Sequence, residues 1–148
     1  MKVISHRGNL DGRVIETENT PYQIERVHDL GYDVEIDVWY FNDKWYLGHD
    51  TPDYEVSEKW LKKRKKYLWC HAKNLEAMQM LLKINMHCFW HEKDKMTLTS
   101  KGIPWCYPGI YVKDGITVIF DKSIKISETK IKGICTDYPL LMDDLISD

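Results

Sequence analysis

The chain has 148 residues, 43% of them hydrophobic, enough apolar material for the core of one domain spanning residues 1–148. A net charge of −2 gives no bulk positive field and argues against nucleic acid as a partner. No apolar run is long enough to span a bilayer and no signal-peptide-like stretch opens the chain, so a cytoplasmic protein is expected.

Val3-Ile4-Ser5 reads as a short strand ending in His6-Arg7-Gly8, where Gly8 permits a turn. A polar loop, Asn9 to Asn19, holds Glu16 and Glu18. Thr20-Pro21 then starts a helix with Thr20 as N-cap and Pro21 in the first turn; Ile24, Val27 and Leu30 lie at helical spacing, and Gly31 ends it. In Val34-Glu35-Ile36-Asp37-Val38-Trp39 the apolar residues alternate with acids, the pattern of a strand with one apolar face. Glu35 and Asp37 therefore share the other face, where like-charge repulsion costs free energy unless a cation or proton sits between them. The alternative is a solvated strand face.

Asn42-Asp43 turns the chain into a second alternating run, Trp45 to Asp50, which delivers His49 and Asp50. After a loop with Pro52, Ser57 caps a helix expected over Glu58 to Lys66, carrying Lys59, Lys62, Lys63, Arg64, Lys65 and Lys66. Such a run reads as a solvated outer face, with contact to an anionic polymer or membrane surface as the sharper alternative. Tyr67 to Lys73 is a strand, and Asn74 caps a helix over Leu75 to Lys83 whose expected buried stripe is Leu75, Met78, Leu81 and Leu82.

Met86 to Trp90 is a further strand ending in His91-Glu92, and Trp105-Cys106-Tyr107 a shorter one. Tyr111-Val112 and Ile116 to Phe120 flank Asp114-Gly115, a hairpin or tight-turn signal. Ile131 to Cys135 is the last strand, and Thr136-Asp137-Tyr138-Pro139 leads into a C-terminal helix. Cys70, Cys88, Cys106 and Cys135 are widely spaced without a C-x-x-C pair and read as reduced, buried thiols.

Strands alternating with short helices point to a parallel α/β arrangement. A full (β/α)₈ barrel needs about 200 residues or more, so a barrel here is a compact, truncated TIM-type one lacking several outer helices. An open α/β sheet is the other fold. Ionisable residues end strand after strand: His6-Arg7, Glu35 and Asp37, His49-Asp50, His71 and Lys73, His91-Glu92, and Asp137. In a barrel these ends form one rim, where chemistry is placed.

At these residues the chain resembles the glycerophosphodiester phosphodiesterases, within the phospholipase-C-like phosphodiesterase barrels. The motifs are His6-Arg7-Gly8, Glu18-Asn19-Thr20, Glu35-Ile36-Asp37-Val38, His49-Asp50 and Thr136-Asp137-Tyr138-Pro139, dense over residues 3–50 and returning at 133–139. The resemblance implies hydrolysis of a small phosphodiester with one divalent cation, Mg²⁺ or Ca²⁺. It makes His6 and His49 the acid/base pair, Arg7 a phosphate-binding residue, and Lys73 a neutraliser of phosphate charge. Glu35 and Asp37 become metal-binding carboxylates, and Glu18 supports Arg7 or the metal.

A phosphodiester gathers negative charge on its oxygens as a nucleophile arrives, so cations stabilise it while one histidine removes a proton and the other supplies one. Trp39 either lines the pocket near the metal or packs in the core. His28 and His87 suit packing or surface roles, and His91 a strand-end site.

Two departures from the family pattern stand out. Its third metal-binding glutamate, two residues before the lysine, is His71 here; imidazole suits Mn²⁺, Zn²⁺ or Ni²⁺ better than Mg²⁺ or Ca²⁺. Either His71 is a ligand, or a nearby acid such as Glu92 substitutes, or His71 bonds the substrate. The insertion after His49-Asp50 is also nearly absent, leaving glycerophosphodiester specificity open. Against the enzyme stand a phosphoryl-ligand binding module without turnover and a lipid-directed phospholipase relative, whose one feature is the basic helix. Homo-oligomerisation would be one way to cover strands that a truncated barrel leaves exposed.

Overall fold

The computed structural model of this chain describes residues 1–122 and 130–147. Lys2–His6 forms β1, and Asp33–Phe41 pairs with it in parallel as β2. Between them lies α1 (Pro21–Asp29), where Thr20 Oγ1 accepts the Gln23 backbone N–H and Pro21 fills the first turn. Asn42 and Asp43 take φ of 50° and 59°, as a two-residue hairpin turn requires, and return the chain as β3 (Lys44–Leu47). Then come β4 (Tyr54–Val56) and α2 (Glu58–Lys63).

The chain continues with β5 (Leu68–Ala72), α3 (Leu75–Lys83), β6 (Cys88–Phe89), β7 (Met96–Leu98) and β8 (Pro104–Cys106). Last are β9 (Ile116–Ile119), β10 (Gly133–Thr136) and α4 (Pro139–Ser147). Among the described residues no helix is long and apolar enough to cross a membrane.

The result is a mixed α/β fold with one large sheet and few helices. Around the sheet the order β6-β5-β2-β1-β10-β9-β8 is parallel throughout, while β3, β4 and β7 join antiparallel. That is the neighbour order of a barrel, yet no ladder joins β6 to β7 or β8 among the described residues, so the sheet is not closed. The expected truncated barrel is thus corrected to an open sheet. β6 has only two residues, and its free edge is met by Ser100: the Cys88 N–H donates to Ser100 Oγ at 3.0 Å and the Ser100 N–H to the Cys88 carbonyl at 2.8 Å. Side chains bridge the gap, with Phe89 and Trp105 stacked at 4.4 Å between ring centroids.

Period-2 alternation divides the sheet's two faces. Val34, Ile36 and Val38 of β2, with Leu68, Cys70 and Ala72 of β5, pack under Ile24 and Val27 of α1, Leu61 of α2 and Ala77 and Leu81 of α3. On the other face Ile4, Trp69, Phe89, Trp105, Val118 and Cys135 form a second cluster. Met142 of α4 packs with Ile119 and Ile134. All four cysteines are buried and unpaired, and burial pushes their thiols up.

Several local expectations change. Helix α2 stops at Lys63, because Arg64 turns back: it donates to the Trp60 carbonyl, lies over the Trp60 ring and pairs with Glu25. The five lysines of that basic run are exposed. On α3 the buried residues are Ala77 and Leu81, whereas Leu75 and Leu82 are 69% and 51% exposed; the arc facing β2 and β5 is centred on the 77/81 pair. Asp114-Gly115 makes a tight turn, not a hairpin, because β8 and β10 already occupy both edges of β9.

Candidate active site

The alternation that builds the inner cluster also builds the site. Two positions beyond an inward apolar residue, towards the carboxyl end of its strand, comes a polar or aromatic one. Ile4 is followed by His6, Trp69 by His71, Phe89 by His91, Cys135 by Asp137 and Val118 by Phe120. In β2 both positions are acidic, Glu35 and Asp37. Register sets His6 opposite Glu35 and Asp37 opposite His71. Four side chains of the sequence reading, His6, Glu35, Asp37 and His71, thus converge by strand geometry alone.

Asp37 is fully buried and lies at the centre. Its Oδ2 accepts Asn19 Nδ2 at 2.9 Å and stands 3.1 Å from Arg7 Nε, while its own N–H donates to Asn19 Oδ1 at 2.9 Å. His49 Nδ1 is 3.6 Å from that same Oδ2. Glu35, Asp37 and His71 each offer a ligand atom, all within 4.8 Å of one another. Glu35 Oε2 and Asp37 Oδ1 are buried with no hydrogen-bond partner. Vacant carboxyl oxygens of this kind are costly unless a cation or a proton satisfies them.

His71 completes the fit. Its Nε2 lies 2.8 Å from the His91 carbonyl, which only accepts, so Nε2 carries a hydrogen. Its Nδ1 faces Asp37 Oδ1 at 3.4 Å and Glu35 Oε1 at 3.8 Å. That nitrogen holds either a second proton or a lone pair directed at a cation, the outer hydrogen bond typical of ligating histidines. The set of two carboxylates and one imidazole therefore fits a divalent metal.

Charge follows the same logic. Burial and the neighbouring Asp37 push the Glu35 carboxyl well above the usual range. Burial would also raise Asp37, but the adjacent His49 and His71 rings and the charge of Arg7 hold it well below. Burial opposes the Arg7 charge, yet Asp37, Glu35 and Glu18 hold it more firmly protonated than usual. The charge of Lys73 favours ionised Glu35.

Other expected site residues fall elsewhere. Glu18 is not beside the metal group: its Oε1 accepts Asn9 Nδ2 and Arg13 Nε, both at 3.0 Å, and its Oε2 lies 3.4 Å from Arg7 Nη1. Both oxygens are engaged with Arg7 and the loop, so of the two expected roles, support of Arg7 or of the metal as a ligand, the geometry matches the first and not the second. Trp39 lines neither cleft at the site; its indole donates to the Gly48 carbonyl at 2.7 Å and so supports the turn that presents His49. Glu92 is exposed and outside the ligand group. The ring of His91 is bonded to the Asp94 carbonyl. His28 stacks on Tyr67 and His87 is buried against Trp69.

The structure adds residues that the sequence reading gave no role. Asp137 Oδ1 lies 2.7 Å from His6 Nδ1 and also accepts Asn9 Nδ2 at 2.8 Å. Burial raises the Asp137 carboxyl, but His6, Asn9 and Arg7 outweigh it and hold it low. Its place in the Thr136-Asp137-Tyr138-Pro139 motif was the available signal. Gly48 is another: at φ 152°, a Cβ there would stand 1.9 Å from the Thr51 carbonyl oxygen, so only glycine fits.

Two clefts flank the metal group. One, of about 180 Å³, is bounded by His6, Glu35 and His71 and continues over Phe89, Trp105 and Phe120. The other, of about 110 Å³, holds His49 with Arg13, Glu18, Asp50 and Tyr54 and is mainly polar.

No protein-family model matches the chain, and no curated protein matches it in sequence. Among solved structures, the crystal structure of glycerophosphodiester phosphodiesterase from Agrobacterium tumefaciens str. C58 is similar in fold. The likeness spans 100% of both chains with a TM-score of 0.58 and 14% sequence identity. At that identity the shared property is the fold.

Proposed function

We propose that this chain is a metal-dependent phosphodiesterase that hydrolyses a small, glycerophosphodiester-like phosphodiester. The observation that carries the reading is the convergence of His6, His49, His71 and Arg7 on two buried carboxylates, each with one oxygen that has no hydrogen-bond partner. The fold shared with a glycerophosphodiester phosphodiesterase supports it. Glu35, Asp37 and His71 would hold one divalent cation, which supplies positive charge to the phosphate oxygens as negative charge develops there. Imidazole in the set favours Mn²⁺ or Zn²⁺ over Mg²⁺ or Ca²⁺.

The histidines divide the proton work. His6 is fixed by Asp137, 2.7 Å from its Nδ1, and its Nε2 lies 3.7 Å from Glu35 Oε2 beside the cleft. It is the acid, giving its Nε2 proton to the departing alcohol. His49 Nε2 lies 3.3 Å from Arg7 Nη2, which only donates, and 3.5 Å from Asp50 Oδ1; as the Arg7 contact is the closer, we assign that nitrogen the lone pair. It is the base. His49 takes the proton of the attacking hydroxyl, either water or a neighbouring hydroxyl of the substrate; the new P–O bond forms as the bond to the departing oxygen breaks. In the second case a cyclic phosphate results, which water then opens. Arg7 turns from its carboxylates to the phosphate, with Lys73 adding charge.

The test is a panel of phosphodiesters incubated with Mg²⁺, Ca²⁺, Mn²⁺ or Zn²⁺, with products read by phosphorus NMR. A chelator-sensitive monoester or cyclic phosphate is expected, strongest with Mn²⁺ or Zn²⁺. No product with any metal, or turnover unchanged in both His6→Ala and His49→Ala, overturns the reading.

A further inference from the structure

We propose that the end of the molecule opposite the active site docks on an anionic phospholipid bilayer. The inference does not depend on the phosphodiesterase reading. Because β6-β5-β2-β1-β10-β9-β8 run parallel, their first residues share one edge of the sheet and the site residues share the other. At the first edge lysine recurs. Lys2 opens β1, Lys65 and Lys66 precede β5, and Lys83 precedes β6. Lys101 precedes β8, Lys113 precedes β9, and Lys130 and Lys132 precede β10. All eight are exposed. His87, next to the start of β6, is held low first by burial and then by the charges of Lys101, Lys132 and Lys2, so lysines from three strand starts stand near one ring.

Acids at this edge are fewer among the described residues: Asp29, Asp33, Asp114, Asp143 and Asp144. Asp33 already accepts from Lys2 and the Trp69 indole, and Asp143 from the Tyr32 hydroxyl. The edge is therefore basic in a chain whose net charge is −2. Charge alone would suit any polyanion; two further features select a bilayer. Leu30, at the end of α1, and Leu82, in the last turn of α3, are 54% and 51% exposed. Each helix returns the chain to the strand starts, so both leucines lie at the lysine edge as apolar groups that lipid can cover. Tyr32 and Tyr67, which could stack nucleic-acid bases there, are occupied: Tyr67 stacks on His28, and Tyr32 is buried with its hydroxyl on Asp143. So docked, the rim of His6 and His49 turns away from the membrane and stays open to a soluble ligand. A lipid-directed phospholipase would need the reverse orientation.

Cosedimentation of the full chain with vesicles tests the assignment, using phosphatidylcholine alone or mixed with phosphatidylserine in equal parts. Binding is expected only with phosphatidylserine, and it should weaken as salt is raised. Lys65→Gln with Lys66→Gln should weaken it about fivefold for each lysine. Lys44→Gln with Lys59→Gln removes the same charge outside that edge, from the β2–β3 hairpin and the first turn of α2, and should cost about twofold at most. Leu30→Ser with Leu82→Ser should weaken vesicle binding about tenfold. All the substituted residues are exposed, so the melting temperature should hold. No sedimentation with phosphatidylserine, equal sedimentation with phosphatidylcholine alone, or equal loss in the two lysine pairs overturns the proposal. Tighter binding to duplex DNA than to vesicles, with the leucine pair without effect, also overturns it and assigns the edge to a polyanion.

Discussion

His6 and His49 reach the same carboxylates by opposite means. His6 ends a strand of the sheet interior, is fixed by Asp137, and its side chain is only 12% exposed. His49 follows a hairpin strand, is presented by Gly48, and its side chain is 34% exposed. The strand-borne half of the site is positioned by ladder register, which moves only if the sheet moves. The loop-borne half is positioned by one backbone conformation and a few side-chain bonds. The first should therefore fail through chemistry and the second through geometry.

The sharpest division comes at Asp37, where the two halves meet. Asp37→Asn should lower turnover by about a thousandfold or more and abolish metal binding measured by calorimetry. Glu18→Gln, by contrast, should leave metal affinity nearly unchanged while weakening Arg7; equal loss of metal in both would return Glu18 to the ligand set.

Next are the histidines. His6→Ala and His49→Ala should each reduce turnover by about 10²–10⁴-fold with metal affinity retained. Asp137→Asn should reduce kcat by about tenfold to a hundredfold with KM little changed, because the carboxylate that fixes the His6 ring is lost. A fall in melting temperature with kcat unchanged would make Asp137 merely structural.

Gly48→Ala tests the loop. The added methyl meets the Thr51 carbonyl, so stability should fall by about 1–3 kcal/mol and turnover should approach that of His49→Ala. Metal affinity should stay. Wild-type turnover in this variant would remove the geometric contrast between the two halves.

The smallest effect lies beneath the strand-borne half, at His87. Burial is the main cause that lowers it to about 4 from the usual value near 6.5. Folded His87 therefore stays neutral while the unfolded chain takes up a proton first. Its contribution is present above pH 6.5 and is lost as pH falls towards 4. The melting temperature should drop across that window, and the drop should be shallower in His87→Asn.

Much of the strand-borne half was legible. The alternation in Val34 to Trp39 put Glu35 and Asp37 on one face, and the strand-end pattern marked His6, His71 and Asp137. Short-range rules also found the caps Thr20, Ser57 and Asn74, because a cap is decided within three residues. The errors share a different cause. Leu75 and Leu82 have the composition of a buried stripe, but which arc of α3 faces inward depends on where β2 and β5 lie. Asp114-Gly115 signalled a hairpin or a tight turn, and the choice of the tight turn rests on β8 and β10 pairing with both edges of β9. Trp39 alternates onto the face of Glu35 and Asp37, yet its indole is used by Gly48.

Local chemistry thus determined the strand periods, the helix starts and the supply of acids, imidazoles and cations at strand ends. Only the tertiary structure decided that Glu18 serves Arg7, that Asp137 holds His6 from 131 residues away, and that the sheet stays open between β6 and β8. Periodicity and capping act over a few residues, whereas hydrogen-bond partnership and sheet closure depend on which distant strands become neighbours.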